Sequence, residues 1–125
     1  MTARPTGPTT PEHVPKPWGH EVIWARTDRY VGKILHVRAG EALSLQYHER
    51  KEETLRVLAG RIRLEIAAGP DAPVRTVELG PGEGWHVPPG TRHRMTALAD
   101  VDVLEVSTPE LDDVVRLEDR YGRTS

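Results

Sequence analysis

Gln46, His48, Glu53 and His93 are side chains of the types that share a metal ion. Gln46 and His48 are two positions apart, so on a strand they project to the same face. A polar turn follows, and Glu53 opens the next run facing back at them. His93 comes after Pro88-Pro89-Gly90, at the start of a late strand that must fold beside the first two. Imidazole and carboxylate converging in this way suit one divalent ion such as Zn, Mn, Fe, Ni or Co. Gln46 offers only a neutral carbonyl oxygen and is the weaker fourth ligand. Coordination positions are left for water or substrate. A lone strand histidine is usually a surface residue or a hydrogen-bonded core group; it is the ordered set that points to a metal.

The other histidines carry less. His36 alternates with apolar neighbours, His86 sits beside Trp85, and His13 and His20 lie in or near an N-terminal tail. Among the cations, Lys33 lies inside an apolar run and can project into a barrel mouth. Arg92 and Arg94 flank His93, and strict alternation turns both away from the face that His93 uses. Bends near Pro-Gly turns relax that rule, so all three stand as candidate anion contacts, with a solvated surface cation as the plainer alternative.

These residues need a scaffold, and the chain's length limits it. At 125 residues it holds one core. There is no Phe, so the core must come from Val, Leu, Ile and a few Trp and Tyr. A net charge of −2 provides no basic field for nucleic acid. No run is long and apolar enough to span a membrane, and an apolar signal core is not seen. Zero cysteines exclude disulfides and thiolate ligands. A cytoplasmic protein fits these features.

Residues 1–15 carry Pro5, Pro8, Pro11 and Pro15 and read as a flexible tail, leaving 16–125 as the domain. Beyond Trp18 come short apolar runs separated by Gly and Pro. Arg61 to Ile66 alternates strictly, the pattern of a half-buried strand. Strands of about 5–7 residues with turns every 8–12 predict an all-β sandwich or barrel. From Pro109 to Tyr121, Leu111, Val114, Val115 and Leu117 can line a short helix, with Pro109 and Asp112-Asp113 at its start; an extended arm on the barrel is the alternative.

Gly40 to Gly60 and Gly82 to His93 resemble the two motifs of the cupin superfamily. The first reads G, five residues, H-x-H, three or four residues, E, six residues, G; here Gln46 replaces the first His. The second reads G, five residues, P-x-G, two residues, H, three residues, N; here Ala97 replaces the Asn. The resemblance implies a jelly-roll barrel.

It narrows further. Lys16-Pro17-Trp18-Gly19, Lys33, Leu43 to His48, Pro89 to Arg94 and Asp112 to Arg123 with its closing Glu-Asp-Arg-Tyr-Gly-Arg look like the type II mannose-6-phosphate isomerase domain, of which Gln-x-His is a feature. That domain commonly forms the C-terminal part of bifunctional guanylyltransferase/isomerases. The resemblance covers Lys16 to Arg123. It implies a metal-dependent aldose–ketose isomerase of sugar phosphates, with metal at Gln46, His48, Glu53 and His93 and phosphate contacts at Lys33, Arg92 and Arg94. No base is identified; Glu52 should face away from its ligand neighbour.

Departures from the family lie beside the metal. Glu49-Arg50-Lys51-Glu52 stands where a His-rich stretch is usual, and Thr54-Leu55 where His-Trp is common. No Gly-rich phosphate loop is found, so guanylyltransferase activity is not expected. A cupin dioxygenase and a non-catalytic sugar-binding cupin are the alternatives. Exposed sheet edges, with Leu45, Tyr47 and the Trp18–Trp24 stretch, point to a homodimer.

Overall fold

A computed structural model describes residues 5–124; four residues of the expected tail, 1–4, lie outside them. The described residues form strands β1 (Glu12–Lys16), β2 (Gly19–Arg26), β3 (Val31–Val37), β4 (Leu45–Tyr47), β5 (Glu53–Ala59), β6 (Ile62–Ala68), β7 (Arg75–Leu79), β8 (Gly84–Val87), β9 (Thr91–Ala97), β10 (Val101–Ser107) and β11 (Val115–Glu118). They make two antiparallel sheets, ordered β1-β2-β3-β10-β5-β8 and β11-β4-β9-β6-β7. This is the all-β sandwich that the turn spacing predicted, in the jelly-roll form that the resemblance implied.

Alternation explains which side chains meet between the sheets. In β6, Ile62, Leu64 and Ile66 are buried while Arg63 faces out. In β10, Val101, Val103, Glu105 and Ser107 share the inward face. Val57, Leu55 and Glu53 do so in β5, and Ala97, Met95 and His93 in β9. The apolar members join Trp18, Leu35, Val37 and Val87 in one core. The inward rows of β5, β9 and β10 are therefore apolar at one end of the barrel and polar at the other. The polar ends coincide because the strands run antiparallel in register, with Lys33 opposite Glu105 and Ser107 opposite Glu53. At the closed end, Gly60 has φ +85°, and a side chain there would strike the backbone carbonyl of Asp100.

Two expectations are modified. Among the described residues no helix forms after Pro109; the segment is an arm whose Val115–Glu118 pairs with β4. β4 has only three residues and would otherwise leave backbone donors and acceptors unpaired on that side. A helix could not satisfy them. At the other end of the chain, Glu12 to Pro15, assigned to the tail by its prolines, pair with β2. β1 is an edge strand, where proline is tolerated. Of the apolar residues expected at a two-fold interface, Trp18 is buried in the core, Leu45 and Tyr47 are half-buried, and Trp24 is 44% exposed.

Candidate metal centre

His48, Glu53 and His93 meet at the polar end. One ligand atom from each lies within 4.8 Å of the others, and all three residues are buried. His48 follows β4, Glu53 begins β5 in the opposite sheet, and His93 lies in β9. Gln46 sits directly across from His93, so its side chain is on the same face.

The hydrogen bonds fix what these atoms offer. His48 Nδ1 lies 2.6 Å from the backbone oxygen of Asp113, and His93 Nδ1 lies 2.9 Å from that of Thr91. A carbonyl oxygen can only accept, so each Nδ1 carries the proton and each Nε2 presents a lone pair. Both Nε2 atoms are buried and make no hydrogen bond among the described residues. Glu53 Oε1 nevertheless lies 3.6 Å from His48 Nε2 and 3.0 Å from His93 Nε2. Three lone-pair donors facing one another repel unless a cation or a proton lies between them. Backbone carbonyls orienting the far nitrogens are the usual support of histidine ligands. The donor set thus fits a divalent ion.

Charges respond to the same crowding. Burial opposes ionisation of Glu53, yet His48 and His93 hold its carboxyl well below the usual range. Burial also disfavours a charged His93, but Glu53 outweighs it and raises the imidazole. Glu53 Oε2 faces away from the histidines, 3.2 Å from Lys51 Nζ, which also lies 3.1 Å from Glu105 Oε1. Burial and the nearby Glu53 push Glu105 up to about 7. The Lys51 ammonium is disfavoured by burial, but Glu105 and Glu53 overcome this and raise its pKa. The Oε1 of Gln46, the expected weak fourth ligand, accepts a 2.6 Å hydrogen bond from Ser44.

An open cleft of about 220 Å³ adjoins this cluster. Gln46, His48, Lys51, Glu53 and Glu105 line it, as do Lys16, Glu21 and Lys33. Lys33 therefore faces the cleft as the sequence suggested, 3.5 Å from Glu21. Arg92 and Arg94 do not line it. Alternation turns them away from His93: Arg92 bonds the carbonyls of Gly69 and Ala72, and Arg94 pairs with Glu65 at 2.8 Å. Arg116 and Arg123 of the C-terminal arm line the cleft instead. His86 and Glu52 face out and pair with each other, and His36 pairs with Asp102.

Sequence reasoning overlooked Lys51, Glu105 and Asp113. The first two were signalled by parity: Lys51 is two before Glu53, and Glu105 sits in an inward row of valines. Asp113 gave no such signal. Its carboxylate accepts hydrogen bonds from the backbone N–H groups of Glu49, Arg50 and Lys51. Partial burial works against its ionised form, but these donors hold the carboxyl down at about 2.

Comparison with known proteins places this geometry. The cupin domain family matches residues 33–107. The chain is 37% identical over 113 residues to the mannose-1-phosphate guanylyltransferase ManC of Salmonella typhimurium, covering 86% of this chain and 22% of that protein. It is 36% identical, with the same coverage, to a mannose-1-phosphate guanylyltransferase of Escherichia coli. It thus spans about a fifth of these relatives' length, 22% in each case. Among solved structures, KdgF from Halomonas sp. superposes with TM-score 0.66 at 23% identity, covering 78% of this chain and 84% of that one. Oxalate decarboxylase from Bacillus subtilis superposes with TM-score 0.75 at 13% identity, covering 93% and 33%. These two likenesses show the shared jelly roll. By its two motifs, its fold and the family match, the chain belongs to the cupin domain family.

Proposed function

We propose that this cupin is a metal-dependent aldose–ketose isomerase of mannose-6-phosphate isomerase type, acting on a sugar phosphate. The observation that carries the reading is the convergence of His48, Glu53 and His93 beside a cleft that His48 and Glu53 line together with Lys16, Lys33, Lys51, Arg116 and Arg123. The resemblance of Lys16 to Arg123 to the type II isomerase domain supports it, as do relatives whose names refer to mannose phosphate.

His48, Glu53 and His93 would hold the ion, with Gln46 as the weak fourth ligand. A bound divalent ion would polarise the sugar's carbonyl and neighbouring hydroxyl. The chain's own part is positioning and proton transfer. Glu105 is tied to Lys51, and Asp112 is exposed. Glu21, between Lys33 at 3.5 Å and Lys16 at 4.0 Å, is the buried cleft carboxylate left to act as the base. In this reading it takes the proton from C2 of the aldose and returns it to C1 of the ketose. Trp18 and Leu35 form an apolar flank that limits water at the reacting carbons.

The proposal extends to a cytoplasmic homodimer, supported by the exposed Trp24 and Val106 on the six-stranded sheet. No helix among the described residues is long and apolar enough to cross a membrane.

The test is elemental analysis of purified protein, then reconstitution with Zn, Mn, Fe, Ni or Co and an assay of mannose 6-phosphate and fructose 6-phosphate interconversion. Protein with confirmed bound metal that turns over no phosphosugar sinks the isomerase. Ligand-induced stabilisation without turnover would instead mark a binding module.

A further inference from the structure

Among the described residues, Arg116 is the cation of the cleft that no carboxylate pairs with. Lys16 and Lys33 share Glu21. Lys51 lies between Glu53 and Glu105. Arg123 is gripped by both carboxylate oxygens of Asp119, at 2.8 and 3.0 Å. Arg116 makes no ion pair among the described residues, and its Nε is buried without a hydrogen-bond partner. Asp112, the remaining cleft carboxylate, lies on the same arm and forms no ion pair with it among the described residues. A buried N–H without an acceptor is costly. A guanidinium held that way is prepared for an acceptor from outside.

Strand register sets where that acceptor would lie. Arg116 is directly opposite Gln46 across β11 and β4, and Gln46 is directly opposite His93 across β4 and β9. Cross-strand partners share a face, so Arg116, Gln46 and His93 form one inward row. Strands are about 4.8 Å apart, which puts the Arg116 backbone roughly 10 Å from that of His93. The ligand cluster stands at one end of the row and the guanidinium at the other. A guanidinium presents a planar fork of donors that matches the oxygens of a phosphate.

We infer that Arg116 is the anion-binding residue of the cleft, holding the phosphate of a sugar phosphate whose carbonyl end lies at the His48–Glu53–His93 cluster. Lys33 and Lys16 reinforce the positive side of the cleft, and Arg92 and Arg94 take no part. The inference rests on the proposed function for the reacting end of the ligand, but its anion site stands or falls by binding alone.

The experiment measures binding of mannose 6-phosphate, mannose and inorganic phosphate by calorimetry at fixed ionic strength. It uses metal-loaded full-length protein, its Arg116→Met and Arg116→Lys variants, and Arg94→Met as a control. Arg116→Met should bind mannose 6-phosphate about 10- to 100-fold more weakly, the range for a charge-assisted bidentate contact. Arg116→Lys should fall between, because it keeps the charge and loses the fork. Arg94→Met should bind as wild type does. Metal content and melting temperature of Arg116→Met should not fall, since no internal partner is lost; a purely structural arginine would lower the melting temperature. Unchanged phosphosugar affinity in Arg116→Met overturns the inference. So does failure of the wild-type protein to bind either phosphate-bearing probe. Arg116-dependent binding without turnover would uphold it while refuting the isomerase.

Discussion

His48 Nδ1 donates a 2.6 Å hydrogen bond to the backbone carbonyl of Asp113, a residue 65 positions further along the chain. One candidate ligand is thus aimed by the C-terminal arm. The Asp113 side chain meanwhile gathers the backbone N–H groups of Glu49, Arg50 and Lys51. A single residue orients the imidazole and shapes the turn leading to Glu53.

Asp113→Ala should therefore loosen that turn. Three hydrogen bonds are lost, but the exposed N–H groups of Glu49 and Arg50 regain water, so the cost should be about 1–2 kcal/mol. Metal affinity should fall by about 10- to 100-fold, the usual effect of disturbing a ligand's support. Chemical denaturation and metal titration check both. An unchanged metal affinity would show that the imidazole does not depend on the turn.

Glu53→Gln should lower bound metal at least about tenfold, the lower limit for losing even a supporting partner. A carboxamide brings no charge to balance a divalent ion. Elemental analysis after dialysis against free metal decides it. Wild-type metal content in the variant contradicts the ligand assignment.

Lys51→Met should affect the protein differently with and without metal. Without an ion, Glu53 and Glu105 are left buried together with no cation between them, which should cost about 3–5 kcal/mol. A divalent ion at Glu53 supplies positive charge, so the loss of melting temperature should be smaller in metal-loaded protein. Equal losses in both states would mean that the ion and the lysine do not share the carboxylate.

Asp119 gives a pH dependence. Its hydrogen bonds with Arg123 lower its pKa, against some opposing burial. The folded value thus lies below the unfolded value of about 3.9, so its contribution is complete above that pH and is lost as pH falls through the folded value. The stability difference between wild type and Asp119→Asn should be constant above about pH 5 and shrink below about pH 4. Denaturation curves across pH 3–7 test this. A difference that grows toward acid would reverse the sign and refute the pairing.

The legible parts were those where period and spacing agree. Ile62, Leu64 and Ile66 read directly as the buried side of a strand, and the spacing of His48, Glu53 and His93 anticipated their meeting. Parity also contained more than was used. It turns Arg92 and Arg94 away from His93, as found, and it places Lys51 and Glu105 inward. The arm was harder, because Leu111, Val114, Val115 and Leu117 fit a helical stripe. The free edge of three-residue β4 outweighed that local preference, since its backbone groups needed a partner. Arg116 became a cleft residue only through this pairing.

The short β4 has a consequence for timing. Its ladder to β9 is the single pair Gln46–His93, while its other side leans on β11. Docking a segment from so far along the chain closes a long loop, which is entropically late among folding events. The last stitch made is also the first to be undone. Release of a captured ion to a chelator should then follow the arm's opening rate, making its lifetime on the protein a property of four arm residues that donate no ligand.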